Sequence, residues 1–181
     1  MNYYIADTHL GHENIIKLCN RPFSSVEEMN NTIIANWNAR VRPEDIVYIV
    51  GDICYKVANP DQLVRELNGR KILIEGNHDK KNLRNPAFVK CFEGIFPYLE
   101  IHDSYANKTI CLFPYPIVEW DGFFRDGYAH IFGHIHNNKN GAYETMKNAF
   151  PKALNAGVEI NNYVPCTFDE LVENNRKFYQ I

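Results

Sequence analysis

The chain has 181 residues, of which 45% are hydrophobic, and this is enough apolar material for one domain with a substantial core. Its formal net charge is -3, from 19 basic and 22 acidic side chains, so it lacks the positive surface that tight nucleic-acid binding needs. We therefore predict a single domain over residues 1–181 and expect no nucleic-acid partner.

The cysteines and the hydropathy pattern restrict the location of the protein. The five cysteines are scattered and form no CxxC pair, which argues against a zinc knuckle or a disulfide framework. No apolar run approaches the roughly 18 residues that indicate a membrane span. The first residues, MNYYIADTHLGH, lack the basic and apolar regions of a signal peptide. These features predict a cytoplasmic protein that does not engage a membrane.

In chain order, the first half of the sequence alternates strand and helix patterns. The longest helix is predicted over residues 24–41, where apolar side chains recur at helical spacing, and Ser25 with Glu28, or the pair one residue earlier, fits a capping box. A shorter helix is predicted from Pro60 to a stop at residues 68–69. The predicted strands of this half are residues 3–6, 45–50 and 71–75.

The second half of the sequence is mostly β in pattern. Strands are predicted over residues 109–113, 129–132 and 154–160. A last helix is predicted to begin near Thr167, where Glu170 three residues later completes a capping box. The whole pattern predicts an α/β fold in which packed sheets are flanked by helices.

Polar side chains follow four of the predicted strands. Strand ends in α/β folds collect at one edge, where ligands bind. Carboxylate and imidazole donors together suit manganese, iron, zinc or nickel, whereas magnesium and calcium prefer oxygen ligands alone. The four loops therefore predict a transition-metal site; their sequences are Asp7-Thr8-His9, Gly51-Asp52, Gly76-Asn77-His78-Asp79 and Gly133-His134-Ile135-His136.

Each of these loops also has an ordinary interpretation. Aspartate and glycine are common turn residues, so Gly51-Asp52 alone is weak evidence for a metal site. The segment from Gly133 to His136 is stronger, because two histidines would otherwise need chance hydrogen-bond partners. The interpretation as unrelated polar turns becomes hard to maintain for four strand ends in one short chain.

These residues, in this order, resemble the signature of the calcineurin-like metallophosphoesterases, and the surrounding sequence is similar to the small prokaryotic and phage branch of that superfamily. The resemblance implies a four-layer αββα sandwich, with two packed mixed β-sheets flanked by helices and a dinuclear metal site among the loops. It implies a first ion held by Asp7, His9, His136 and bridging Asp52, and a second held by Asp52, Asn77 and His134.

The resemblance also implies an activity. Members of this family are hydrolases of phosphomonoesters or phosphodiesters that use water activated by two metal ions. By position, His78 would be the general acid toward the leaving oxygen, and Asp79 would orient it through a hydrogen bond. The cofactors implied are two divalent ions, chosen from Mn²⁺, Fe²⁺, Zn²⁺ and Ni²⁺.

One position departs from the family signature. The family places a His-x-Pro tripeptide after a strand ahead of Gly-His-x-His, and this chain has Pro114-Tyr115-Pro116 there. Proline has no side-chain donor, so the second ion loses an imidazole and its site is expected to be weak. His102 and His130 lie where strand packing explains them, and neither is expected to replace it. The alternative function is a catalytically weakened or inactive binding scaffold of the same fold.

Three further residues are candidates for substrate contacts. His12 lies in the first polar loop, and Arg21 and Arg125 carry guanidinium groups that match phosphate oxygens. An ordinary exposed side chain is the alternative for each. The expected partner is a small phosphorylated substrate, with a nucleotide as one candidate because aromatic residues from Tyr115 onward could stack on a base. A homodimer interface would explain the same aromatic residues equally well.

Overall fold

The computed structural model describes residues 1–181 and contains two four-stranded β-sheets. The first sheet is parallel throughout and consists of β1 (Asn2–Ile5), β2 (Ile46–Val50), β3 (Arg70–Ile74) and β4 (Gly94–Phe96). The second consists of β5 (Leu99–Asp103), β6 (Lys108–Leu112), β7 (Tyr128–Phe132) and β8 (Ala153–Asn155), and only its β5–β6 pair is antiparallel.

Six α-helices connect the strands: α1 (Glu13–Leu18), α2 (Val26–Arg40), α3 (Pro60–Arg65), α4 (Pro86–Val89), α5 (Tyr143–Asn148) and α6 (Phe168–Tyr179). A 3-10 helix covers Asp79–Arg84. None of the helices combines the length and the hydrophobicity that crossing a membrane requires.

Alternating side chains along the strands define four layers. Ile49 of β2 belongs to a core that it shares with Trp37 of α2. Its neighbour Val50 faces the other way, into a core that includes Ile131 of the second sheet. Phe132, next to Ile131, lies in a third core with side chains of α5 and α6. The predicted αββα sandwich is confirmed, and of its two sheets only the second mixes strand directions.

The strand predicted over residues 154–160 is wrong beyond Asn155, where β8 ends. The next residue joins the two sheets instead: Ala156 N donates to Phe132 O (2.8 Å) and Ala156 O accepts from Ala6 N (2.8 Å). The backbone then turns away from the sheet. The alternation of apolar and polar residues here therefore reflects a buried crossing between sheets rather than an extended strand.

The predicted capping box at α6 is present in full. Thr167 Oγ1 accepts from Glu170 N (3.4 Å), and the Glu170 carboxylate accepts from Thr167 N (2.9 Å). At α2 only half of the box forms: Ser25 caps Glu28 N (3.1 Å), but the Glu28 carboxylate accepts from Ser24 N (2.7 Å). Both helices begin where their sequence signals predicted.

Replacing Thr167 by alanine removes the hydroxyl that accepts from the first turn of α6. We expect the substitution Thr167→Ala to lower the free energy of unfolding by about 1 kcal/mol, the usual effect of losing such a cap. Urea unfolding measures this, and Ser104→Ala at an exposed turn serves as the control. Equal unfolding midpoints for the two variants would contradict the assigned role of the cap.

Candidate metal centre

The loops that follow β1, β2, β3 and β7 lie side by side at one end of the sandwich. Asp7 N donates to Gly51 O (3.1 Å), which joins the first two loops. His78 N donates to Asp52 Oδ1 (2.9 Å), and His134 N donates to Asp7 Oδ2 (2.7 Å). These hydrogen bonds bring the four polar loops of the sequence into one cluster.

The four residues predicted to hold the first ion lie together in this cluster. Potential ligand atoms of Asp7, His9 and His136 are all within 4.8 Å of one another. Asp52 Oδ2 is 3.7 Å from His9 Nε2. Asp7, His9 and Asp52 are each at most 3% exposed, and His136 is half-buried. The group therefore offers one carboxylate and two imidazoles within one small volume, with the Asp52 carboxylate beside His9.

The chemistry of His9 shows that this group fits a cation. Burial lowers the pKa of His9 to about 2, so the ring is neutral. Its Nδ1 lies 3.4 Å from His12 Nδ1, whereas its Nε2 is buried and has no hydrogen-bond partner in the protein. A buried polar atom without a partner is costly, and a divalent cation would accept its lone pair.

The backbone of the ligand residues is also unusual. Positive φ angles occur at Asp7 (57°), His9 (50°), Asp52 (55°), His134 (71°) and His136 (51°). This left-handed conformation is uncommon for residues other than glycine and persists only where surrounding contacts enforce it. Strain concentrated on these residues is typical of a functional site.

The residues predicted for the second ion form a more open group. Asp52 is 3% exposed, but Asn77 and His134 are exposed. Gly76 allows the Asn77 loop to lie against Asp52, because a Cβ at Gly76 would collide with Asp52 Oδ1. The second group therefore offers two oxygen ligands and one imidazole at the surface.

Pro114 fills the position where the family signature places a histidine. The residue is buried, and its carbonyl accepts from Gly133 N (3.1 Å). A Cβ added at Gly51, the residue before Asp52, would lie 3.0 Å from Pro114 Cβ. The pyrrolidine ring thus occupies the space beside Asp52 without offering a ligand atom to the second group.

The prediction that Asp79 orients His78 through a hydrogen bond is wrong. Asp79 Oδ2 accepts from the backbone amides of Asp52 (2.8 Å) and Gly76 (2.9 Å), and Oδ1 accepts from Ile53 N (3.1 Å). The side chain is completely buried. It turns inward because the 3-10 helix begins at this residue, and it fixes the backbone of two metal-site loops.

The prediction that Arg21 contacts substrate is also wrong. The residue is 4% exposed, and its Nη1 and Nη2 donate to Thr8 O (2.8 Å) and Asp7 O (2.7 Å). Its Nε and Nη2 donate to Glu159 Oε1 at 3.0 and 2.7 Å. The guanidinium is therefore fully engaged inside the protein.

Arg125 lies at the end of β7 that is opposite the metal group. The guanidinium is exposed and lies over the ring of Tyr128, 5.7 Å from its centroid. Tyr128 is the first residue of β7, whereas His134 follows the other end of that strand. At ~3.3 Å per residue the five-residue strand is roughly 13 Å long, so this position does not favour a substrate contact, and the contact of Arg125 with substrate stays a prediction.

The remaining histidines agree with expectation where the structure tests them. His130 is buried, and its two ring nitrogens pair with the carbonyls of Cys111 and Tyr115, both at 3.2 Å. His102 is exposed on β5. His12 does lie at the cluster, with its ring 4.1 Å from that of Tyr55, and its contact with substrate stays a prediction.

Sequence analysis missed Glu159, whose side chain is 2% exposed. Its Oε1 lies 2.8 Å from His136 Nδ1 and also accepts from Arg21. The residue stands between two apolar ones in the segment predicted as a strand, and nothing in the neighbouring sequence identifies its partners.

The comparisons with known proteins agree with this geometry. Residues 3–160 match the calcineurin-like phosphoesterase family, and the chain belongs to that family. An uncharacterized protein of Methanocaldococcus jannaschii is 39% identical over 178 residues, which cover 94% of this chain and 89% of that protein. The gene 66 protein of Mycobacterium phage L5 is 33% identical over 82 residues, or 42% of this chain and 39% of that protein.

A solved structure has the same fold. The crystal structure of a protein of unknown function from Aquifex aeolicus matches with a TM-score of 0.74 and 30% sequence identity, covering 96% of this chain and 98% of that one.

Two ligand residues carry protons that a cation must displace. Burial raises the pKa of Asp7 to about 8. Burial disfavours the charged form of His136, but hydrogen bonding to Cys19 and Glu159 outweighs it and raises the pKa of His136 to about 11. Both residues are therefore protonated in the metal-free protein at neutral pH.

Because metal binding releases these protons, we expect the affinity for Mn²⁺ to increase as the pH rises from 6 to 8. Calorimetric titration in two buffers of different ionisation enthalpy measures both the dissociation constant and the number of protons released. A pH-independent dissociation constant with no proton release would contradict the assignment of Asp7 and His136 as ligands.

Proposed function

We propose that this protein is a metal-dependent hydrolase of phosphomonoesters or phosphodiesters. The observation that carries the proposal is the buried, unpartnered Nε2 of His9, which lies 3.7 Å from Asp52 Oδ2 in a residue that groups with Asp7 and His136. Such a donor set suits a divalent transition metal, with Mn²⁺ as the first ion to test. Bound ions would polarise the phosphoryl oxygens and make water nucleophilic.

The protein's own residues would divide the remaining work. Two hydrogen bonds hold Asp52 in place: His78 N donates to its carboxylate, and its own backbone N donates to the Asp79 carboxylate. This arrangement supports a rigid bridging position for Asp52. His12 stands next to His9 and supports its orientation through the contact between their Nδ1 atoms.

His78 is the proposed general acid. Its half-buried ring packs edge-on against those of Tyr55 (4.6 Å) and His9 (5.3 Å between centroids), which leaves its nitrogens for the substrate. A proton delivered from this ring to the leaving oxygen would prevent a poorly stabilised alkoxide from forming. Tyr115, whose ring lies 4.8 Å from that of His134, is the proposed stacking partner for a nucleotide base.

The substitution His78→Ala tests the general acid. We expect kcat/KM for an alkyl phosphodiester to fall about 10²- to 10⁴-fold in the presence of Mn²⁺. The loss should be smaller for bis(p-nitrophenyl) phosphate, because p-nitrophenolate leaves without protonation. His102→Ala, on exposed β5, is the matched control. Equal losses for both substrates would contradict the acid role, and activity of the parent no higher than that of His78→Ala would contradict the proposed function.

Pro114 favours the alternative that the protein is a weakened member of its family. With no donor at this position, we expect the second ion to bind at least tenfold more weakly than the first, as loss of one ligand interaction of ~1.4 kcal/mol would give. The substitution Pro114→His should narrow this difference, and Pro116→His should not. Calorimetric titration with Mn²⁺ measures both steps.

The outcome separates an enzyme from a scaffold. A protein that purifies with little metal, hydrolyses no phosphodiester and tolerates Asp52→Asn without change in Mn²⁺ binding would be a binding scaffold. Elemental analysis after purification gives the metal content directly. Two equal binding steps in the parent protein would instead show that Pro114 does not weaken the second site.

A further inference from the structure

We propose that Arg21 and Glu159 form a buried positioning pair that holds His136 and the Asp7–His9 loop in the geometry required for the first metal ion. This inference rests on the proposed metal-dependent function, and it assigns residues outside the ligand set to that same site. Neither residue is a ligand in the proposal; each acts through the residues it contacts.

Glu159 acts on His136. The Glu159 Oε1 atom lies 2.8 Å from His136 Nδ1. When a carboxylate accepts from one nitrogen of an imidazole, it fixes the tautomer and the ring orientation and leaves the other nitrogen for a metal. Nδ1 is engaged in this way, so we assign Nε2 as the nitrogen that His136 offers to a metal held with Asp7 and His9.

Arg21 acts on the loop that carries the other two ligands. Its Nη2 donates to Asp7 O (2.7 Å), and its Nη1 donates to Thr8 O (2.8 Å). Asp7 and His9 both have positive φ angles, which are uncommon for residues other than glycine although Asp and His adopt them more readily than most. Two charge-assisted hydrogen bonds to the intervening carbonyls stabilise this strained turn.

The pair connects the two halves of the site. Arg21 Nη2 lies 2.7 Å from Glu159 Oε1, and the two side chains are 0% and 2% exposed. A buried ion pair is seldom more stabilising than well-packed apolar side chains of the same volume. The pair also leaves Glu159 Oε2 buried without a partner. These features favour a role in geometry over a role in stability.

Charge disfavours a separate metal site at the same place. Cys19, His136 and Glu159 also offer ligand atoms within 4.8 Å of one another. The Arg21 guanidinium, however, already contacts the Glu159 carboxylate at 2.7 Å and would repel a second cation there. Cys19 and Glu159 therefore support His136 in its role toward the first ion and do not hold a second ion themselves.

The first experiment uses the unmodified protein. Histidine labelled with ¹⁵N and loading with ¹¹³Cd²⁺ identify by one-bond coupling which ring nitrogen binds the metal. Within the His136 ring, we expect coupling from Nε2 and none from Nδ1. Coupling from Nδ1 would overturn the proposal, because metal would then have displaced Glu159 from that nitrogen.

The second experiment compares Mn²⁺ dissociation constants of variants by calorimetry. Glu159→Gln removes the carboxylate charge but leaves Arg21 buried without a counter-ion. The double variant Arg21→Gln/Glu159→Gln removes both charges and avoids that penalty. We expect each folded variant to bind the first ion 10- to 100-fold more weakly, which is the usual effect of removing a group that orients a ligand.

The matched control is Glu170→Gln. Glu170 pairs with Arg40 at 2.6 Å and, like Glu159, joins segments far apart in the chain, but it lies on α6. We expect this variant to bind Mn²⁺ as the parent does. Thermal unfolding of the metal-free proteins measures the purely structural effect of each change.

The outcomes are distinct. A folded Glu159→Gln or double variant with the parent's dissociation constant would overturn the positioning role alone. A parent protein that binds no Mn²⁺ would overturn the proposed function and this inference together. If neither variant folds, the nitrogen identified in the cadmium-loaded parent decides the question.

Discussion

The packing of the loop after β1 against the loop after β7 is the contact on which the site depends. Asp7 accepts a hydrogen bond from His134 N (2.7 Å), and Ala156 connects β1 with the end of β7 through its own backbone. Gly133 permits this approach, because a Cβ there would lie 2.7 Å from Ala6 Cβ. Without this contact, the ligands contributed by the two sheets would not meet.

Burial of polar side chains is the second constraint, and it follows from the first. Bringing the loops together removes Asp7, Asp52 and His9 from solvent. Burial favours the neutral forms of Asp7 and His9 and removes their polar atoms from water, so the group exists at a cost to the stability of the metal-free protein. Backbone strain at the same residues adds to that cost. A site that opposes stability in two ways is more readily explained by binding than by folding.

The two ligand groups of the proposed dinuclear centre differ in their burial and in the contacts that support them. The first group is buried and supported by Arg21 and Glu159, whereas Asn77 and His134 of the second are exposed. Pro114 adds to this difference because it contributes packing but no ligand. The asymmetry suits a tightly held first ion and a second ion whose binding depends more on solvent and substrate.

The sequence by itself determined the elements with strong local patterns and the residue types of the site. The helical period of α2 and the cap of α6 are local features. Polar residues that follow apolar strands can likewise be recognised from the sequence alone. Tertiary structure alone decided that Asp79 faces the backbone and that Arg21 meets Glu159. Those two residues are 138 positions apart, and their pairing depends on how the sheets pack. Periodicity records which face of an element is buried, but it carries no information about which distant side chain lies opposite.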